Sequence, residues 1–146
     1  MSTLNEILRQ KEGQPLHGIE QEASVLEAVQ MMNERSIGAL LVRHQGQMVG
    51  IFTERDVLRD VIGKRLDPSA VRVAEAMTTR VICCTPVTTI EEARELMKTR
   101  RVRHLPILDA EGEPVGIVSI GDLNAYLTTD QETTIHYLHE YLHGRV

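Results

Sequence analysis

Gly50-Ile51-Phe52-Thr53-Glu54-Arg55-Asp56 returns 66 positions later as Gly116-Ile117-Val118-Ser119-Ile120-Gly121-Asp122. Upstream, Val25, Ala28, Val29 and Met32 align with Ile90, Ala93, Arg94 and Met97 at an offset of 65, as does Leu40-Leu41-Val42 with Leu105-Pro106-Ile107. The extra residue lies in the second copy's turn, around Ala110-Glu111-Gly112. The chain of 146 residues therefore repeats itself once.

The two copies share their periodicities. Val25, Ala28, Val29 and Met32 recur at helical spacing, as do Ile90, Ala93, Leu96 and Met97. Ser24 with Glu27, and Thr89 with Glu92, form a capping-box start for each helix. Apolar runs at 38–43 and 48–52, and again at 104–108 and 114–118, flank Gly-containing turns and predict hairpins. A second helix is expected from Thr53 or Ser119, and a short strand ahead of each copy at Leu16–Ile19 and Val81–Cys84. Each unit reads β-α-β-β-α. One unit of about 60 residues buries too little surface to be comfortable alone. The expected fold is α/β, two such repeats packed with pseudo-twofold symmetry. The repeats are assigned to residues 5–63 and 73–128, with a linker at 64–72. A short helix around Leu4–Leu8 and an amphipathic helix within 129–146 flank them.

Apolar residues make up 42% of the chain and charged residues 25%, an ordinary globular mix. The net charge of −5 argues against a protein built to hold nucleic-acid backbone. Only Phe52, Tyr126, Tyr137 and Tyr141 are aromatic, too few for a base-stacking platform. The longest apolar run, Ile37–Val42, falls far short of the ~20 residues a membrane helix needs. The N-terminus lacks a basic start and apolar stretch, and Cys83 and Cys84 are adjacent. Both point to a reducing, cytoplasmic setting.

The repeated Gly-apolar-apolar-Thr/Ser-x-x-Asp ends a strand and opens a helix. Free N–H groups and partial positive charge at a helix start suit phosphate. The hydroxyl of Thr53 or Ser119 can donate to a phosphate oxygen. The acceptor-only carboxylates Asp56 and Asp122 suit a diol such as that of ribose. The same residues also satisfy a plain helix cap. The preceding Gly50 and Gly116 leave room for close backbone approach.

Five segments in order resemble a tandem pair of cystathionine β-synthase (CBS) domains, the Bateman module. They are Ile37-Gly38-Ala39-Leu40-Leu41-Val42, Val49–Asp56, Val73-Ala74-Glu75-Ala76-Met77-Thr78, Arg103-His104-Leu105-Pro106-Ile107 and Val115–Asp122. The resemblance spans roughly residues 5–127 and is nearest to stand-alone bacterial pairs. It implies an adenine nucleotide (AMP first, then ADP, ATP or NAD) in the cleft between the repeats. Asp56 and Asp122 would hold ribose, and Thr53 and Ser119 phosphate. His17, Gly18 and Ile19 with Ala39 and Leu40, and Val81, Ile82 and Cys83 with Leu105 and Pro106, would enclose the base. Arg55, Arg103 and His104 match the places that attract phosphate. Gly38-Ala39 stands where the second copy has Arg103-His104, and Gly121 where the first has Arg55, so unequal sites are expected.

The resemblance also implies a non-enzymatic regulatory or signal-transduction module. It would modulate an unidentified partner protein and form a homodimer through Val57–Ile62 and Leu123–Leu127. A scaffold with vacant sites is the alternative, as is a metal- or redox-responsive protein. His136, His139, Glu140 and His143 share one helical face at metal-compatible spacing, which is also the polar face opposite Ile135, Leu138 and Leu142. No metal is expected. Of Cys83 and Cys84, one is expected to face the core.

Overall fold

The computed structural model describes residues 1–130. Helix α1 (Leu4–Gln10) leads into β1 (Gly18–Glu20), α2 (Val25–Arg35) and the hairpin β2 (Ala39–His44) and β3 (Gln47–Thr53). One turn of helix, α3 (Glu54–Asp56), continues as a wider π-helical stretch over Val57–Ile62. The second half comprises α4 (Val73–Ala76), α5 (Ile90–Arg100), the hairpin β4 (His104–Leu108) and β5 (Pro114–Ser119), and α6 (Ile120–Asp130).

The first sheet has the order β1-β2-β3, with β1 parallel to β2 and β3 antiparallel. The second holds only β4 and β5. The strand expected at Val81–Cys84 is reduced to one parallel bridge, Cys84 with Ile107. Cys84 N–H donates to Pro106 C=O and Cys84 C=O accepts from Leu108 N–H, both at 2.9 Å. With one residue of pairing, the segment takes no further part in a ladder.

The helix starts follow their caps. Ser24 Oγ accepts from Glu27 N–H at 3.1 Å, and Thr89 and Glu92 form a reciprocal box at 3.1 and 3.2 Å. Helices α2 and α5 both end in a left-handed residue, Ser36 at φ 54° and Arg101 at φ 55°.

Two apolar clusters form the interior, and each borrows a helix from across the repeat. Leu4 and Ile7 of α1 lie in the second cluster, with Ile90, Ala93, Leu105, Ile107 and Leu123. Val73 and Ala76 of α4 lie in the first, with Val25, Ala28, Leu40 and Phe52. Matching bridges pin the exchange, Thr3 with Thr89 and Ser24 with Arg72. The helix at the start of each assigned repeat thus completes the core of the other one. Among the described residues, no helix is long and apolar enough to cross a membrane.

Candidate functional site

The repeated motif folds alike in both halves but is satisfied differently. In the first half Asp56 is 1% exposed. Its Oδ2 accepts from Thr53 N–H at 2.9 Å and Thr53 Oγ1–H at 3.3 Å, and its Oδ1 from Thr78 Oγ1–H at 2.9 Å. Burial pushes the carboxyl above its ordinary range, against the pull of these hydrogen bonds and of Arg59. Both carboxylate oxygens, and the Thr53 hydroxyl proton, are spent inside the chain.

In the second half Asp122 Oδ2 accepts from Ser119 N–H at 2.8 Å, and Ser119 Oγ accepts from Asp122 N–H at 3.0 Å. This reciprocal box uses the serine oxygen as acceptor and leaves its proton free to donate. Asp122 retains 25% side-chain exposure and pairs with Lys11 at 2.8 Å. A cavity of about 640 Å³ opens in front of these groups. Its far wall comes from the first half, with Leu16, His17, Ile37, Gly38 and Ala39. A volume of this size falls within the range of small-molecule sites.

Of the residues singled out from sequence, the structure gathers His17, Ala39, His104, Ser119 and Asp122 around this cavity. Thr53 is instead engaged with Asp56, and Asp56 with Thr53 and Thr78. Ile19, Leu40 and Leu105 are buried in the two cores, with Pro106 buried beside Leu105 in β4 and Gly18 paired with Leu41 in the sheet. Ile82 packs against the second core. Cys83 is half-buried, its thiol directed at Val81 C=O. Arg55 and Arg103 line a separate cleft with Arg94, Lys98 and Arg101, where Arg55 Nη1 donates to Arg101 C=O at 2.6 Å. Lys11, which caps the C-terminus of α1, and Arg35, the last residue of α2, also line the cavity, and polar positions at helix ends carried no periodic signal in the sequence.

Both histidines of the cavity are shifted below their ordinary range. Burial holds His104 below its ordinary 6.5, with Lys11 and Arg103 adding to it and Glu54 and Asp122 opposing. Burial and then Arg35 lower His17, whose Nδ1 lies 3.2 Å from Arg35 Nη1. A neutral Nδ1 accepts that bond; a protonated ring has no lone pair there.

Burial raises both thiols, which disfavours the reactive thiolate, and Cys84 lies in the second core. Among the described residues, no three of His, Cys, Asp and Glu group as a metal site. His136, His139, Glu140 and His143 lie outside the described residues.

Comparisons with known proteins agree with the doubled architecture. A CBS-domain protein from Burkholderia ambifaria MC40-6 superposes with a TM-score of 0.85 at 38% identity, over 89% of this chain and 96% of that one. The mitochondrial CBS domain-containing protein CBSX3 of Arabidopsis thaliana is 33% identical over 126 residues, 83% of this chain. The match spans 61% of that relative's length. A protein named CBSX2, solved in complex with AMP, shares the fold with a TM-score of 0.73 at 23% identity, over 90% of this chain and 99% of that one. The CBS domain family model matches twice, at residues 14–63 and 73–129, one match to each copy of the repeat, so the chain belongs to the CBS-domain family as a tandem pair.

Proposed function

We propose that this chain is a non-catalytic regulatory module that binds an adenine nucleotide, AMP foremost, in the Asp122 cavity and alters its engagement of a partner protein. One observation carries the reading. Ser119 and Asp122 cap α6 in a way that leaves a hydroxyl proton and carboxylate capacity facing an open cavity, while Thr53 and Asp56 have none to spare. The ribose diol then donates to Asp122, and phosphate lies beside Ser119 and the N-terminus of α6. The base takes the apolar wall of Leu16, Ile37 and Ala39. That CBSX2 was solved with AMP supports the same ligand class. The exposed Leu58 and Ile62 of the π-helical stretch support pairing with a second copy. A cytoplasmic site of action belongs to the same proposal.

A thermal-shift panel of AMP, ADP, ATP, NAD, NADH and S-adenosylmethionine tests the reading. A ligand supplied at ~100 times its dissociation constant adds ~2.7 kcal/mol to stability. A shift with adenine nucleotides is expected. No shift with any of the six overturns the reading in favour of a scaffold.

A further inference from the structure

Lys11, the residue that ends α1, is the cation closest to the capped motif of the second half. Its backbone N–H closes the helix on Ile7 and Leu8 C=O, and its side chain reaches across to β5 and α6. Nζ lies 2.9 Å from Ile117 C=O and 2.8 Å from Asp122 Oδ2, with 34% of the side chain exposed. An ammonium has three N–H donors. Two are directed at these oxygens, and the third has no acceptor among the described residues.

Among the described residues, no other basic group around the cavity forms a side-chain hydrogen bond or ion pair with the Ser119–Asp122 cap. Arg35 directs one N–H at His17 Nδ1 on the first-half wall, and burial holds the His104 pKa below its ordinary value. In the first half the corresponding carboxylate is closed by a neutral hydroxyl, Thr78 at 2.9 Å, with the Arg59 guanidinium farther off at 3.7 Å, so a cation in direct hydrogen-bond contact distinguishes the second motif. A carboxylate alone at this point would repel a phosphate carried by the same ligand whose ribose it holds. Lys11 cancels that charge and leaves Asp122 Oδ1 to accept a hydroxyl.

We infer that Lys11 is a specificity-determining residue of the Asp122 cavity, selecting phosphorylated adenine ligands over adenosine by offering its charge and third N–H to the first phosphate. The inference rests on the nucleotide-binding reading above. It makes α1 both a part of the second core and a wall of the ligand site.

Isothermal titration of adenosine, AMP and ATP into the full chain tests it, in wild type, Lys11→Gln and Lys11→Arg. Lys11→Gln should weaken AMP and ATP by about tenfold or more, the scale of a lost charge-assisted hydrogen bond, and adenosine by less than about threefold. Lys11→Arg should recover most of the AMP affinity, because the charge is kept. Raising salt should shrink the difference between wild type and Lys11→Gln for ATP. Equal losses for adenosine and AMP in Lys11→Gln would mean that the residue acts through the fold, and the inference fails. Unchanged AMP binding in that variant also overturns it, and leaves the nucleotide reading standing. A wild type that binds none of the three ligands overturns the nucleotide reading itself, and this inference with it.

Discussion

At the scale of single residues, two aspartates in the same motif carry different duties. Asp122 faces the cavity, so Asp122→Ala should lower AMP affinity by the ~1.5–3 kcal/mol of a hydrogen bond to a charged group, with little loss of fold beyond one cap. Asp56 faces Thr53 and Thr78 in the interior. Asp56→Ala leaves buried donors unpaired, at ~1–3 kcal/mol each, and should lower stability while AMP affinity in the folded fraction stays close to wild type. Titration calorimetry and urea unfolding of both variants separate the two effects. Equal affinity losses would place ligand at both motifs. His104 provides a pH signature. Its folded pKa lies below the ordinary 6.5, so the unfolded chain takes up a proton that the folded chain declines. The stability this represents is present above about pH 6.5 and is lost as pH falls below it. His17 is shifted the same way. The urea midpoint should therefore drop between about pH 7 and 5.5, and drop less in His104→Gln; an identical drop in that variant removes His104 as the source.

At the scale of elements, the exchanged helices decide which substitutions are costly. Ile7 lies in a segment outside the repeated pattern, yet it is 2% exposed inside the second core. Ile7→Ala should cost ~2–5 kcal/mol in urea unfolding, a core-sized penalty; a value within the surface range of ±0.5 would contradict the exchange. The motif glycines meet the same two connections. A Cβ on Gly50 would lie 2.7 Å from Thr78 C=O and 3.0 Å from Met77 Sδ. On Gly116 it would lie 2.6 Å from Leu8 Cδ2, the end of a flexible side chain. Backbone bridged to β3 cannot step aside as a leucine methyl can. Gly50→Ala should thus destabilise clearly more than Gly116→Ala in thermal melts, and the opposite order would refute this account. The room expected beside these glycines is filled by the chain's own helix ends, and only Gly116 also borders the cavity.

At the scale of the whole molecule, pseudo-twofold symmetry places two related motifs, and local packing breaks their equivalence. One motif is closed by the Met77-Thr78 connection, and the other opens onto a cavity walled by both halves. Calorimetric titration should give one AMP per chain, with any second event much weaker. Two equal sites would show that the Asp56 motif opens at little cost. The cavity is bordered by Lys11 after α1, His17 before β1, the start of β2 and the start of α6, so a ligand filling it would touch both halves. On the proposed function, binding there would tie the two halves together, a physical basis for reporting occupancy to a partner.

The doubled architecture was legible in the residues because helix and strand periods are local properties. The apolar spacing of Val25–Met32 and Ile90–Met97, the capping hydroxyls Ser24 and Thr89, and the hairpin runs each repeat in order, and the structure follows them closely. Ser119 and Asp122 were legible for the same reason, since a capping box is written within four residues. The exchange of α1 and α4 was not legible, because which core a short amphipathic helix joins depends on packing across the repeat. Nor was the inequality of Asp56 and Asp122. Their local sequences present the same hydroxyl and carboxylate, and the difference comes from residues 22 positions after one and 111 before the other, Thr78 and Lys11. Only tertiary structure brings a neutral hydroxyl to one carboxylate and an ammonium to the other, and so decides which motif is sealed and which is open.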